Sequence, residues 1–420
     1  MMKNTLFIVV DCLGYKFLCK KLKNYPYLNY LFSEGTSFSQ AISVASTTSP
    51  SVTSMLTGCY PFRHGIMTLS GNRLNNKIPF LPELLKKRGY KTYAEVTGPL
   101  WPELGLIRGF DNYNHRNRKE YLTTDWGKML RNKFTSGYFG EPWFVFLHLW
   151  ELHRPLHILP EYNKNKYGTP YERALKSLDR NLESLLESFL DISQTAIIFT
   201  GDHGEQVEKN FFDKQFKKLI FKACKKCFDF GLFESRRLTV YRKYHLGHGS
   251  NISDTLVNVP LLFIDKDRFP GNTEIDGQIS HVDILPTLMS PVGTKKSNIQ
   301  TDGQDYMPYI EKKIANAEHI AYMQACGIVL PDASKWLEGV RYRGLKYIRN
   351  RSNHKKIEWL YNISRDPEEK TSIEDEELTW MMREKLDGIK QTALQADDNN
   401  KMSARETADM AKKLKELGYM

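Results

Sequence analysis

The sequence predicts an α/β protein: a mostly parallel sheet flanked by helices, followed by a small C-terminal α+β subdomain. Three observations carry this. First, apolar runs recur at TLFIVVD (Thr5–Asp11), KTYAEVT (Lys91–Thr97), WFVFLHLW (Trp143–Trp150), TAIIFTGD (Thr195–Asp202) and VPLLFID (Val259–Asp265). They are continuous rather than alternating, as expected of strands buried on both faces. Second, helical patterns separate them, among them FLPELLKKRGY (Phe80–Tyr90) and the segment Tyr171–Leu190, which sets Leu175, Leu178, Leu182, Leu185 and Leu186 on one face. Strand–helix alternation is the pattern of a parallel sheet. Third, the texture changes after about residue 310: WLEGVRYRGLKYIRN and KKIEWLYNIS read as short antiparallel strands, and the segment after Ser372 is charged and helical. The division expected is a larger domain at 1–310 and a C-terminal subdomain with a terminal helix at 311–420, the latter read as scaffold.

The chain has 420 residues, 41% hydrophobic and 26% charged, enough for one large core and an appendage. No run approaches the roughly 18 apolar residues of a membrane span. The start, MMKNTLFIVVDC, lacks the apolar segment and cleavage site of a signal peptide, so the expectation is a soluble cytoplasmic protein. Six cysteines, Cys12, Cys19, Cys59, Cys224, Cys227 and Cys326, show no disulfide framework and fit a reducing compartment. A net charge of +11 and a pI near 9.1 favour anionic partners. No nucleic-acid-binding motif accompanies the charge, so nucleic acid is not expected.

Parallel sheets bind ligands beyond the carboxyl ends of their strands. Asp11, His153, Asp202 and His203 all fall at such ends. A second signal is ASTTSPSVTSMLTG (Ala45–Gly58), which reads as a helix over Ser51–Thr57 introduced by Pro50 and stopped by Gly58. A hydroxyl just before that helix faces free N–H groups and the positive end of the dipole. Such a hydroxyl is an ordinary cap or a nucleophile. Two carboxylates and an imidazole gathered at one sheet edge suit a divalent cation, and a cation touching Thr48 would lower the pKa of its hydroxyl. Further histidines, His245 and His248, lie in YHLGHGS; one of the nearby histidines is available to protonate a leaving alkoxide.

In order along the chain, LFIVVDC, TTSPSVTSMLTG, YPFRHGI, HLWELHRP, FTGDHGE, HLGHGS, VNVPLLF, SHVDILPTL and LKELGYM resemble the sulfatase-like branch of the alkaline phosphatase superfamily. The resemblance implies an alkaline-phosphatase-like fold, with Asp11, Thr48, Asp202 and His203 around a metal and Thr48 at the nucleophile position. It implies that His153 and His248 contact the substrate's anionic group or assist the leaving group. The chain departs from sulfatases at two points. Those enzymes carry Cys or Ser at the nucleophile position, converted to formylglycine and followed by Pro-Ser-Arg; this chain has Thr48, with Val52 at the arginine position. A threonine would yield a ketone, not that aldehyde. The second acidic residue after the first strand is replaced by Cys12. Threonine here is similar instead to phosphodiesterases and to phosphoethanolamine or phosphoglycerol transferases.

The expected activity is therefore metal-dependent cleavage of a phosphoester, with a diester expected, by hydrolysis or transfer through a threonine nucleophile. The expected substrate is an anionic ester, glycan- or lipid-linked. The alternatives are a sulfuric ester hydrolase working without formylglycine, a phosphomutase of the same superfamily, and an inactive protein holding an anionic glycan or lipid. An imidazole ligand favours Mn or Zn, with Mg or Ca as alternatives, and one metal ahead of two. Between Gly204 and His245 an insertion at 205–244 carries a basic amphipathic pattern, with Phe212, Phe216, Leu219, Ile220 and Ala223 on one helical face and Lys214, Lys217, Lys218, Lys222, Lys225 and Lys226 largely off it. Such a helix packs on the domain as a lid or lies on an anionic membrane. Cys224 and Cys227 have no second pair at zinc spacing and carry no metal expectation.

Overall fold

The computed structural model describes residues 3–208, 211–229, 240, 244–290, 299–316, 318–326, 336–351, 357–392 and 401–419. The larger sheet contains β1 (Asn4–Val10), β2 (Thr36–Ile42), β3 (Lys91–Val96), β4 (Asn112–His115), β5 (Trp143–Leu149), β6 (Thr195–Gly201), β7 (Asn258–Val259), β8 (Leu261–Ile264) and β9 (Thr273–Ser280). Its order is β4-β3-β5-β1-β6-β8-β2-β7, with β9 paired to β2. Pairings from β4 through β6 are parallel, and β8 runs antiparallel to both β6 and β2. The run expected as one strand at Val259–Asp265 is split at Pro260, which has no N–H to give a ladder.

All of β5 is buried, as is β1 from Leu6 to Val10. One face packs with Val52, Met55 and Leu56 of the helix Thr48–Thr57. The other packs with Leu175, Leu178, Leu182, Leu185 and Leu186 of the helix Pro170–Leu186, the stripe its periodicity predicts. That helix starts with a capping box between Thr169 and Glu172, which satisfies backbone donors at its first turn.

The smaller sheet is antiparallel in the order β10 (Ala321–Ala325), β11 (Leu337–Tyr342), β12 (Leu345–Asn350), β13 (Glu358–Asn362). The terminal helix, Ala404–Glu416, does not extend it. Met410 and Leu414 join the core cluster that contains Phe7 and Phe146, so the tail returns to the larger sheet. No helix among the described residues is long and apolar enough to cross a membrane.

Candidate active site

The sheet register brings the site together. Val10 pairs with Leu149 on one side and Gly201 on the other, so the residues that follow the three strands emerge side by side. Asp11 N–H donates to the Leu149 carbonyl (2.9 Å). Gly201 and Gly204 allow the close approach: a Cβ on Gly201 would lie 2.2 Å from the Leu13 carbonyl oxygen, and one on Gly204 2.1 Å from that of Thr255. The Asp202 side chain is clamped by one oxygen, Oδ1, which accepts from the backbone N–H of Cys12 (3.0 Å) and His203 (2.7 Å). Its other oxygen, Oδ2, has no hydrogen-bond partner among the described residues.

Thr48 reaches this point from the helix Thr48–Thr57, which ends at Gly58 with φ 66°, the left-handed conformation that glycine adopts at no steric cost. The expected start is corrected. Thr48 is the first helical residue, not a residue before the helix; Thr47 occupies the cap position, and no side-chain cap bond forms. The Thr48 hydroxyl instead donates to Asp11 Oδ2 (3.0 Å) and lies 3.4 Å from His203 Nε2. All four groups expected at a metal, Asp11, Thr48, Asp202 and His203, are fully buried and adjacent.

The electrostatics of this cluster are those of an unmet demand for positive charge. Asp11 and Asp202 have only histidines beside them, His148 Nε2 at 3.6 Å and His203 Nε2 at 3.4 Å; no lysine or arginine pairs with either among the described residues. Burial, then the neighbouring Asp202 charge, pushes the Asp11 carboxyl well above its ordinary value. His203 is held neutral by burial. Its Nδ1 faces the Gly204 carbonyl (2.9 Å), which can only accept, so Nδ1 carries the proton and Nε2 keeps a bare lone pair toward Thr48. Asp11 Oδ1 and both nitrogens of His148 also lack partners among the described residues. Sets of potential ligand atoms within 4.8 Å of one another include Asp11, His148 and Asp202, and Asp11, Cys12 and His203. Orphaned carboxylate oxygens beside imidazole lone pairs fit a divalent cation.

A cleft of about 670 Å³ adjoins this centre, lined among others by Arg118, His153, Arg154, Glu205, Lys214, His248 and Tyr419. The His248 ring lies tilted 4.3 Å from the His203 ring and edge-on 5.5 Å from that of His153. The two expected histidines differ. His153 Nδ1 donates to the Arg154 carbonyl (2.9 Å), and burial, then the charge of His248, lowers its pKa to about 3. His248 Nδ1 donates to Glu205 Oε2 (3.1 Å), leaving Nε2 buried without a partner among the described residues. Burial would raise the Glu205 carboxyl, but His248 and then Arg154 overcome it and hold it at about 2. Cys12, at φ 63°, turns its thiol to the same carboxylate (3.3 Å). Burial, then Asp11 and Glu205, keeps that thiol well above its ordinary pKa. His245 stands further out, with Nδ1 3.0 Å from Ser250 Oγ.

Sequence reasoning missed three residues. His148 sits inside a continuous apolar strand, and a histidine there is itself a signal. Glu205 follows the metal-type Asp-His pair after one glycine. Tyr419 belongs to the tail read as scaffold, yet its ring lies 5.3 Å from His153 and 5.9 Å from His248. Burial, then the Asp11 charge, drives its phenol well above the ordinary value.

A family model described as Sulfatase matches residues 3–294. No curated protein matches. Among solved structures, the fold is similar to that of a putative sulfatase, yidJ, from Bacteroides fragilis (16% identity, 92% of this chain and 95% of that one, TM-score 0.69). It is also similar to a phosphonate monoester hydrolase of Agrobacterium radiobacter (16%, 96% and 100%, 0.68). A third similar structure is a protein crystallised with its substrate D-glucosamine-2-N,6-O-disulfate (15%, 93% and 99%, 0.69).

Proposed function

The chain belongs to the sulfatase family, within the alkaline phosphatase superfamily, and from that membership we propose that it cleaves a phosphoester, a diester by preference, with Thr48 as nucleophile. The observation that supports this most is the Thr48 hydroxyl itself: buried, aimed by Asp11 Oδ2 and seated at the first turn of its helix. A threonine has no route to the hydrated aldehyde of formylglycine, so direct attack is the chemistry open to it.

A divalent cation held by Asp11, Thr48, Asp202 and His203, Mn or Zn by the imidazole in the set, would supply the charge that lowers the hydroxyl's pKa and offsets charge on the phosphoryl oxygens. The chain's own residues do the rest. Asp11 Oδ2 aligns the hydroxyl, and the helix N-terminus favours negative charge at the same point. As the Oγ1–P bond forms, the hydroxyl proton passes to Asp11 Oδ2, which returns it to Oγ1 when the phosphothreonine is released; as the P–O bond to the departing group breaks, His248 Nε2 gives its proton to the alkoxide. The Glu205 carboxylate behind Nδ1 stabilises the charged ring. The bare Nε2 then takes a proton from the water or alcohol that releases the phosphothreonine. His153, neutral and with Nε2 bare, accepts a hydrogen bond rather than donating a proton. Arg118 in the cleft wall suits an anionic substrate, with Arg154 and Lys214 beside it sharing the single carboxylate of Glu208.

The second reading is sulfate ester hydrolysis, favoured by the disulfated sugar bound in one structure of similar fold. Matched p-nitrophenyl phosphate monoester, phosphate diester and sulfate ester, assayed with Mn, Zn, Mg or Ca added to stripped protein, separate the two. Metal-dependent diester turnover is expected, reduced about 10³-fold or more in Thr48→Ala. Dominant sulfate turnover, or activity that survives Thr48→Ala, overturns the proposal.

A further inference from the structure

The helix Phe211–Asp229 divides its surroundings unevenly. One side is anchored. Lys217 Nζ reaches Asp213 Oδ2 (3.0 Å) and the Val207 carbonyl (3.4 Å), Phe221 packs edge-on to His245 (4.8 Å), and Ile220, Cys224 and Cys227 are half-buried. An adjacent side faces outward with four of the five residues expected in the apolar row; the fifth, Ile220, turns to the anchored side. Phe212 is 82% exposed, Phe216 57% and Leu219 69%; Ala223 is exposed as well. Their spacing of i, i+4, i+7 and i+11 puts them on one line. Lys218, Lys222 and Lys225 are exposed on the helix's polar side, away from that line, and Lys226 is exposed closer to it. No other helix among the described residues exposes a row of large apolar side chains.

The apolar row makes little of the lid-to-domain contact that a buried amphipathic helix would make: Phe216 packs edge-on to Tyr244 at 6.3 Å and still stays 57% exposed. An outward stripe of Phe and Leu on a helix whose polar side carries exposed lysines is the arrangement of a helix that lies in a membrane interface, apolar side chains among the acyl chains and long lysines reaching the anionic head groups. A soluble polyanion would be met by the lysines alone and would gain nothing from Phe216 and Leu219. Position adds to the argument: Lys214, on the same helix, lines the catalytic cleft together with His245. A bilayer seated on the stripe brings the cleft beside the head groups.

We propose that this helix docks the protein on an anionic lipid bilayer through Phe216, Leu219 and the helix's exposed lysines. Flotation of the full chain with phosphatidylcholine vesicles, with and without phosphatidylglycerol, tests it. Binding is expected on the anionic vesicles only, weakening as salt rises. The double variant F216S/L219S should lose about tenfold or more of that binding, and K222E/K225E should lose it on phosphatidylglycerol vesicles. Both should keep the parent's thermal midpoint, since none of these side chains is in a core cluster. Anionic vesicles that fail to bind the parent, or that bind F216S/L219S equally well, overturn the proposal. So does capture by heparin with no vesicle binding, which would mark a soluble polyanion site.

Discussion

Two clusters of buried acids lie within this chain, and they are built in opposite ways. In the first, Asp254 and Glu369 meet Lys346, whose Nζ lies 2.8 Å from Asp254 Oδ1 and 2.5 Å from Glu369 Oε1, and Arg341 Nη1 stands 3.2 Å from Asp254 Oδ2. In the second, Asp11 and Asp202 meet only histidines that burial keeps neutral. The carboxyls respond accordingly. Burial would raise Asp254, but Arg341 and Lys346 reverse it to about 2, whereas Asp11 is driven up. The first cluster is closed by the protein's own cations and joins the small sheet to the loop after His248. The second is open: no lysine or arginine among the described residues meets its carboxylates. Burial alone does not separate a structural acid cluster from a functional one; the source of the counter-charge does.

Breaking both clusters should give effects of opposite sign. Lys346→Met leaves two acids buried without their lysine and is expected to cost about 3–5 kcal/mol, read by denaturant unfolding. The pH dependence follows from the depressed Asp254. Its contribution is present above its ordinary value of 3.8 and lost as pH falls toward about 2; Lys346→Met should flatten that acid-side loss. Asp11→Asn removes a repulsion rather than a pairing, so the metal-free protein should gain about 1 kcal/mol, on the order of 2 °C, while the midpoint rise on adding Mn or Zn disappears. An Asp11→Asn protein that is less stable without metal would place the two clusters in one class.

The open cluster was largely legible in the sequence and the closed one was not, for a physical reason. Asp11, Thr48, Asp202 and His203 each lie within a short motif at a strand end or helix start, and the continuous runs of β1, β5 and β6 fix which ends are neighbours. Lys346, Asp254 and Glu369 are brought together only by the packing of two sheets, which no local pattern encodes. The same distinction explains the missed strands. β2 (TSFSQAI) keeps Ser39 and Gln40 half-buried and β9 (TEIDGQIS) keeps Glu274 and Asp276 exposed, so their polar residues break the apolar run that reveals a fully buried strand. Tyr419 was missed because its neighbours His153 and His248 are more than 170 positions away in the chain.

Within the open site, the pairing of His248 with Glu205 sharpens the contrast with His153. If His248 Nε2 supplies the leaving-group proton, His248→Ala should slow esters of poor alkyl leaving groups by about 10²–10⁴-fold and p-nitrophenyl esters much less. Glu205→Gln should act in the same direction, more weakly. His153→Ala should slow both esters alike, because a neutral ring with its proton held at Nδ1 orients rather than protonates. Equal leaving-group sensitivity in the two histidine variants would remove the distinction drawn from their hydrogen bonds.

The smallest expected effect belongs to Tyr419, and it separates two uses of the tail. The ring packs against both histidines, and the hydroxyl lies on the Thr48 side of the cleft without a close hydrogen bond among the described residues, a place from which it can donate to an oxygen of the substrate. Tyr419→Phe keeps the wall and removes only the donor; a loss of about tenfold in kcat/KM with an unchanged thermal midpoint is expected for one hydrogen bond to a charged group. Tyr419→Ala removes the wall as well and should also change the pH profile, because water then reaches His153 and relieves the burial that holds it neutral. If Tyr419→Phe matches the parent while Tyr419→Ala does not, the tail acts by shielding the histidines, and the anion-facing groups of the cleft reduce to Arg118, Arg154 and Lys214.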